Sequence, residues 1–459
     1  MTRTAPLAPP TIDAAARPLG RLGVAFGYRT TALLLLGLMW LAPAFLDGRF
    51  VWAMLAWDGV VVALWLVDLR RSPPASRLRV RRAWLAAPAL SVRSSVDIAI
   101  ANDSEATLSA HVTDSVPARL RSSPPELDVV LRPRAETIAT YDVRPAKRGE
   151  ATVGPIYVRY QTPWHLAERW ATADASQTAL ACPDLAEAKR QSIYLVRSRQ
   201  IEMEKRSARV RGAGRAFESL RDYRSGDELR DVCWTASARR AKLVTRQYEI
   251  ERSQTIWLTL DAGRLMRARI AGLSKLDHAV NAALALAQVA LGTGDRVGVL
   301  AYGRRIALRL PASRGSAHLR QIVESLARLD EDEWEGDHLL AAGRLLTDQK
   351  RRGLIVWITD LSETAMTPDV IRAAGQLMTR HVVLFVVIGE PDLGAVAARV
   401  PSTVAEMYET AAAQDVLARR ERLLGTLREG GALAIETTSS RLSTVLVNSY
   451  LDIKQRNRL

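Results

Sequence analysis

Two apolar stretches near the amino terminus constrain this chain more than any other feature. Thr30–Leu46 reads TTALLLLGLMWLAPAFL, and Phe50–Leu69 reads FVWAMLAWDGVVVALWLVDL. Each approaches the roughly 20 residues that span a hydrocarbon core. Only Asp47-Gly48-Arg49 separates them, which leaves no room for a domain. The expectation is a two-helix transmembrane hairpin over residues 30–69, preceded by a tail over residues 1–29. A signal peptide followed by a core helix is the competing reading. It is disfavoured because no small-residue cleavage site follows the first stretch and the second begins at once. Arg3, Arg17, Arg21 and Arg29 precede the hairpin; Arg70, Arg71, Arg77, Arg79, Arg81 and Arg82 follow it. The positive-inside rule then puts both ends, and the soluble mass, on the cytoplasmic side.

Asp58 falls near the middle of the second stretch. An ionised carboxylate there costs about 2.5–3.5 kcal/mol on insertion scales. Arg29 lies too far away in depth to pair with it. Two readings stay open: a protonated Asp58 bonded within the hairpin, or a polar contact with another membrane protein or a second copy of the chain.

Residues 77–180 change character. Short alternating runs such as Ser95-Val96-Asp97-Ile98-Ala99-Ile100 are separated by turn signals such as Asn102-Asp103-Ser104 and Ser123-Pro124-Pro125. Regular short strands of this kind predict an all-β, immunoglobulin-like antiparallel sandwich, a spacer or docking surface. Residues 181–253 then form a connection whose first part is basic, with Lys189, Arg190, Arg197, Arg199, Lys205, Arg206, Arg209, Arg211 and Arg215. The net charge of +15 admits nucleic acid or anionic lipid as partners. The basic connection lacks the interleaved aromatics that single-strand binders use, so a solvated or partner-facing surface is expected. The two cysteines, Cys182 and Cys233, make no disulfide framework, and the six histidines show no zinc spacing.

Residues 254–459 alternate apolar strands with helices. Strands are expected at Thr255–Asp261, Arg296–Tyr302, Ile306–Leu310, Leu354–Thr359, Val382–Ile388 and Ala432–Glu436. Helices are expected at Asp277–Leu291, Ala317–Leu329, Leu339–Leu346 and Thr403–Leu427, with a last one through Tyr450. Buried apolar strands alternating with helices imply a mostly parallel, Rossmann-like doubly wound sheet. Ligands of such sheets sit beyond the carboxyl ends of the strands, where Asp261 and Asp360 are placed.

The run from Gly214 to Arg240, GRAFESLRDYRSGDELRDVCWTASARR, mixes turn residues, alternating charges and one Trp. With Leu243, Val244, Arg246, Glu249 and the stretch Ser443–Asp452, it resembles the signature of the domain-of-unknown-function family 58. The resemblance covers residues from about Thr152 onward. It implies a bacterial protein with a von Willebrand A-like α/β domain that works with a MoxR-type AAA+ ATPase. It also implies a metal ion-dependent adhesion site of the pattern Asp-x-Ser-x-Ser, a Thr loop and a second Asp. Here the first segment is Asp261-Ala262-Gly263-Arg264-Leu265, the Thr loop corresponds to Glu335-Gly336-Asp337-His338, and Thr359-Asp360-Leu361 keeps the second Asp. Loss of the hydroxyl ligands leaves Asp261, Asp337 and Asp360 as a degenerate cation site for Mg²⁺ or Mn²⁺. The alternative is that these acids cap helices or pair with Arg264. No other cofactor is expected.

Within the signature, Arg221, Tyr223, Gly226, Asp227, Arg230, Trp234, Ser237 and Arg239 carry the resemblance. Gly226-Asp227 reads as a turn, and Trp234 is expected to bury its ring. Arg221, Arg230 and Arg239 are expected to pair with Asp222, Asp227 and Asp231 and lock the fold, or else to form a partner-docking surface. No nucleophile stands beside a base, so no enzyme is expected. The implied function is a membrane-tethered cytosolic adaptor at the bacterial inner membrane, acting with a MoxR-type AAA+ ATPase in assembling or activating protein complexes. A metal-dependent protein-binding module and a nucleic-acid binder are the alternatives.

Overall fold

The structure, a computed structural model, describes residues 8–20, 23–184, 216–223, 232–249, 254–361 and 367–456. It divides into two units, Met1–Asp184 and Leu185–Leu459.

The first unit opens with three short strands, β1 (Ile12–Ala15), β2 (Arg17–Pro18) and β3 (Val24–Phe26). A helical hairpin follows. Its first arm is α1 (Tyr28–Gly37), a 3₁₀ turn (Leu38–Trp40) and α2 (Leu41–Ala44); its second is α3 (Arg49–Arg71). Nine strands complete the unit: β4 (Leu78–Trp84), β5 (Ser94–Asn102), β6 (Leu108–Asp114), β7 (Glu126–Leu131), β8 (Ala135–Val143), β9 (Gly149–Val153), β10 (Ile156–Gln161), β11 (Ala167–Ala173) and β12 (Gln177–Ala181). One sheet runs β1-β4-β5-β8 and the other β2-β11-β10-β6-β7, with β3 also on β11 and β12 paired to β9. Alternation drives this: β4 buries Leu78, Val80, Arg82 and Trp84 and exposes Arg79 and Arg81. Val80, Ile98 and Ile100 of one sheet share a core with Val112, Val158 and Tyr160 of the other.

Ile12–Ala15, Arg17–Pro18 and Val24–Phe26 are therefore sandwich strands rather than part of a tail. Ile12 lies opposite Arg82, and Phe26 opposite Ala167. The chain enters and leaves the hairpin from the same body. Arg82, counted in sequence among the flanking charges, is instead fully buried. Its Nε donates to Asp114 Oδ2 at 2.9 Å, its Nη2 reaches the other carboxylate oxygen, and Tyr141 donates to Asp114 Oδ2 at 2.6 Å. Burial, then the charge of Asp114, pushes the Tyr141 phenol far above its usual range.

Within the hairpin, α3 is long and apolar enough to cross a membrane by length and composition, with a mean hydropathy of 2.0. Phe45, Leu46, Trp52, Leu55 and Met39 are exposed. Trp57 Nε1 donates to the Leu33 carbonyl at 2.9 Å, joining the arms. Asp58 Oδ1 is buried without a hydrogen-bond donor. It is turned toward the first arm, where a Cβ added to Gly37 would lie 2.7 Å from it. At the base, Asp68 is completely buried and accepts from Thr162 Oγ1 at 2.5 Å and from the Leu166 and Ala167 N–H groups at 3.1 and 2.8 Å. Thr30 Oγ1 donates to the Leu166 carbonyl at 2.7 Å. Both arms are thus tied to one loop of the sandwich.

The second unit begins with β13 (Ala216–Asp222), α4 (Trp234–Arg240) and β14 (Val244–Glu249), the two strands antiparallel. It continues with β15 (Thr255–Asp261), the two-residue strands β16 (Arg269–Ile270) and β17 (Leu273–Ser274), α5 (Lys275–Gly292), β18 (Arg296–Tyr302), β19 (Ile306–Ser313), α6 (Ser316–Ala327) and α7 (His338–Asp348). Then come β20 (Leu354–Thr359), α8 (Thr367–Met378), β21 (Val382–Gly389), α9 (Pro391–Ala397), α10 (Val404–Glu429), β22 (Leu433–Thr438) and α11 (Leu442–Gln455). The sheet order is β19-β18-β15-β20-β21-β22, parallel except for β19. β20 is buried along its whole length, as a parallel strand covered on both faces must be. Helices α8 and α9 are additions to the elements expected from sequence.

Candidate functional site

Strand order reverses between β15 and β20, from which the chain winds outward in opposite directions. This is the switch point at which open α/β sheets leave a crevice for ligands. Asp261 ends β15, Asp360 directly follows β20, and both are buried. Asp261 Oδ1 accepts from the Gly263 N–H at 2.8 Å, and its Oδ2 from Thr359 Oγ1 at 2.6 Å. Burial raises its pKa, with the nearby His338 and these two donors opposing. Gly336 closes over the same carboxylate, where an added Cβ would lie 2.7 Å from Asp261 Oδ1. His338 Nδ1 lies 2.8 Å from Tyr302 Oη, which accepts from Trp357 Nε1 at 2.6 Å. Burial pulls His338 below its ordinary value, against the attraction of Asp261.

Asp360 is met by two buried cations. Lys275, the first residue of α5, places Nζ 2.5 Å from Asp360 Oδ2 and also contacts Glu390. Arg420 of α10 lies 3.6 Å from Asp360 Oδ1 and 2.8 Å from Glu436 Oε1. Charges withdrawn from water need such partners. The cation site expected from Asp261, Asp337 and Asp360 does not form. Asp261 is engaged by Thr359 and Gly263, Asp360 by Lys275 and Arg420, and Asp337 caps α7 by accepting from the Leu340 N–H at 2.8 Å. Among the described residues no group of three or more His, Cys, Asp or Glu side chains could hold a metal ion. The helix-capping alternative describes Asp337; the expected partner of Arg264 is corrected, since it pairs with Glu335 at 3.1 Å. About 10 Å³ remains free inside the crevice, room for about one water.

The crevice mouth is open. Trp334 is 60% exposed, with the Arg304 guanidinium 5.0 Å from its ring centre. Asp332 holds this rim by accepting from the Arg304 N–H at 3.0 Å and the Trp334 N–H at 3.2 Å. The Arg304 N–H is the main cause of a lowered Asp332 pKa. A groove of about 500 Å³ bordered by Arg304, Glu335, Asp337, Leu339 and Leu340 adjoins it.

Sequence reasoning did not find Lys275, Arg420, Glu390 or Glu436. Arg420 had a signal: it shares a helix face with Ala413, Leu423, Leu424 and Leu427, all buried. Lys275 had none, since it is one of many basic residues and only topology brings it to Asp360.

The signature residues are placed as follows. Arg221 lies in β13 opposite Thr245, and the Tyr223 N–H donates to the Leu243 carbonyl at 3.0 Å. Ser237 is buried and its Oγ accepts from the Val244 N–H at 2.9 Å, fixing α4 to β14. Arg239 is exposed on α4. Trp234, expected to be buried, is 64% exposed at the first position of α4. Asp222 pairs with Lys242 at 2.9 Å. Gly226, Asp227, Arg230 and Asp231, with most of the basic connection, lie outside the described residues.

Comparison with known proteins places these features. An uncharacterized protein of Mycobacterium tuberculosis is 28% identical over 184 residues, 40% of this chain and 57% of that protein, and one of Mycobacterium bovis matches equally. The chain thus spans a little over half the length of these relatives. The uncharacterized protein YeaD of Bacillus subtilis is 26% identical over 109 residues, 24% of this chain and 25% of its own. Among solved structures, the conserved hypothetical protein BatB of Bacteroides thetaiotaomicron aligns with a TM-score of 0.30 and 12% identity, over 44% of this chain and 99% of its own. An aerotolerance-related membrane protein of Bacteroides fragilis aligns with a TM-score of 0.29 and 12% identity, over 44% of this chain and 100% of its own. A family described as "Protein of unknown function DUF58" matches residues 219–406, a stretch that holds Asp261, Lys275, His338, Asp360 and the Trp334 rim. Over this stretch, less than half of the chain, the sequence is similar to the DUF58 family.

Proposed function

We propose that the chain is a membrane-tethered adaptor whose α/β domain docks a protein partner at the mouth of a crevice that is closed by its own lysine. The observation that carries the reading is the contrast at the switch point. The interior is filled by Lys275 and Arg420 on Asp360, whereas the rim exposes Trp334 beside Arg304. A small ligand needs a cavity of roughly 300–1,000 Å³, far more than the interior leaves. Exposed Trp and Arg are the residue types favoured at protein interfaces. A sheet parallel except for one edge strand supports a von Willebrand A-like reading of this domain, and the two antiparallel sheets of the first unit support an immunoglobulin-like one. In that reading Lys275 stands where an adhesion-site metal would, and docking proceeds without a metal.

The helical hairpin is the membrane anchor. Because the strands before and after it pair in one sandwich, both of its ends leave the bilayer on the same side. The arginines flanking it favour the cytoplasmic face of the inner membrane. The resemblance to family 58 supports a MoxR-type AAA+ ATPase as the partner. The test is purification of the full-length protein from native membranes, with partners identified by mass spectrometry, beside a Trp334→Ala variant. Recovery of an AAA+ ATPase that Trp334→Ala reduces at unchanged melting temperature is the expected result. Recovery of no ATPase overturns the partner, and recovery insensitive to Trp334 overturns the rim as its docking surface.

A further inference from the structure

The base of the hairpin carries a second feature, independent of the crevice. The loop from Thr162 to Leu166 turns through a left-handed His165 (φ 58°) and holds Trp164 outward, 41% exposed. Two guanidinium groups gather on this tryptophan, one from each arm. Arg29 Nη1 of α1 donates to the Trp164 carbonyl at 3.3 Å, and Arg71 of α3 stacks 4.4 Å from the indole centre. Neither arginine has a carboxylate partner among the described residues. Asp68, one turn before Arg71 on α3, is buried and committed to Thr162, Leu166 and Ala167. Between α1 and the loop runs a groove of about 380 Å³ lined by Arg29, Ala32, Leu33, Trp164 and Leu166. Leu36, one turn further along α1, extends its apolar wall outward.

We propose that this groove binds an anionic phospholipid, with its headgroup phosphate on Arg29 and Arg71 and an acyl chain along Ala32, Leu33 and Leu36. The proposal rests on the reading of the hairpin as membrane-embedded. Arg70 and Arg71 close α3, and Tyr28 and Trp164 stand level with them, which is the composition of a membrane–water boundary. Guanidinium groups match phosphate oxygens in geometry and charge. An anion alone would use only the basic end of the groove. The apolar wall fits a phosphate that carries a hydrocarbon chain.

The experiment uses the full-length protein in nanodiscs of phosphatidylcholine containing a minor fraction of phosphatidylglycerol, with protein-retained lipid measured by native mass spectrometry. The expected result is enrichment of phosphatidylglycerol over the bulk ratio, falling about fivefold for each of Arg29→Gln and Arg71→Gln. Arg49→Gln, at the far end of the hairpin, should leave the enrichment unchanged. No enrichment in the wild type, or enrichment that survives the Arg29→Gln/Arg71→Gln pair, overturns the proposal. Displacement of the lipid by millimolar glycerol phosphate would reveal a soluble-anion site and overturn the lipid assignment. Release of the protein from membranes by alkaline carbonate would instead sink the hairpin reading, and this proposal with it.

Discussion

Lys275 and Asp360 stand 85 positions apart in the chain and meet through Nζ and Oδ2 at 2.5 Å, both buried at the carboxyl end of the central strands. The contact joins the start of α5 to the end of β20 across the switch point. It converts a place where a ligand would sit into part of the core.

Lys275→Met should therefore cost about 3–5 kcal/mol, because it leaves a buried carboxylate short of one of its cations. Combining it with Asp360→Asn should recover part of that loss. Denaturant titration of the α/β domain's transition in the full-length protein would measure both. A single variant within about 0.5 kcal/mol of wild type would show the pair to be dispensable.

Divalent cations should not stabilise this protein. A metal bound to the native state raises stability by RT ln(1 + [L]/Kd), about 2.7 kcal/mol at a hundredfold excess over Kd. With Lys275 and Arg420 on Asp360, addition of Mg²⁺ or Mn²⁺ is expected to leave the melting temperature unmoved. A concentration-dependent rise, abolished by Asp261→Ala, would contradict the fit described above.

Gly336→Ala should destabilise the crevice by about 1–3 kcal/mol through overpacking. The new methyl would sit 2.7 Å from Asp261 Oδ1 and 3.1 Å from the Tyr302 ring. Gly343 of α7, with nothing within 4 Å of an added Cβ, provides the control. Equal stabilities of the two alanine variants would mean that the loop gives way freely.

In the sandwich, Tyr141→Phe should cost about 1.5–3 kcal/mol, the range for a hydrogen bond to a charged group. It removes the phenol that donates to Asp114 at 2.6 Å. Arg82→Met should cost more, since Asp114 would remain buried without its cation. The reverse order would show that Tyr141, not Arg82, is the main support of that carboxylate.

The rim should fail in acid. Asp332 titrates below its ordinary 3.8 because it accepts the Arg304 N–H, so the unfolded chain takes up its proton first as pH falls. Its contribution is complete above the unfolded value and is lost as pH drops through the folded one. The stability difference between wild type and Asp332→Ala is expected to be flat from neutrality down to about pH 4 and to shrink below it. A difference that does not change with pH would mean that the carboxylate charge is irrelevant to the rim.

What could be read from sequence follows from how local each signal is. The central strands announced themselves as unbroken apolar runs, and Thr255–Asp261, Arg296–Tyr302 and Leu354–Thr359 have the bounds expected of them. Helix α8 was missed although Val370, Ala373, Ala374 and Leu377 form a helical stripe against the core. Helix α9 is only seven residues long and has no stripe to read. The amino-terminal strands are two to four residues each, too short for alternation to register. Asp261 and Asp360 were legible because each closes an apolar strand. Their true partners were not, since Lys275, Arg420 and Thr359 reach them only through the winding of the sheet. Trp234 shows the opposite error: its residue type suggested burial, and its place at the start of a short exposed helix decided otherwise.

The pairing of Ile12 with Arg82 and of Phe26 with Ala167 also sets an order on biosynthesis. The first strands leave the ribosome before the hairpin, yet the strands that receive them are made after it. Until residue 173 has been synthesised, the amino-terminal segment has an incomplete set of neighbours, while the hairpin already exists in full. The sandwich is thus finished by a returning end, and completing it ties the two feet of the hairpin together.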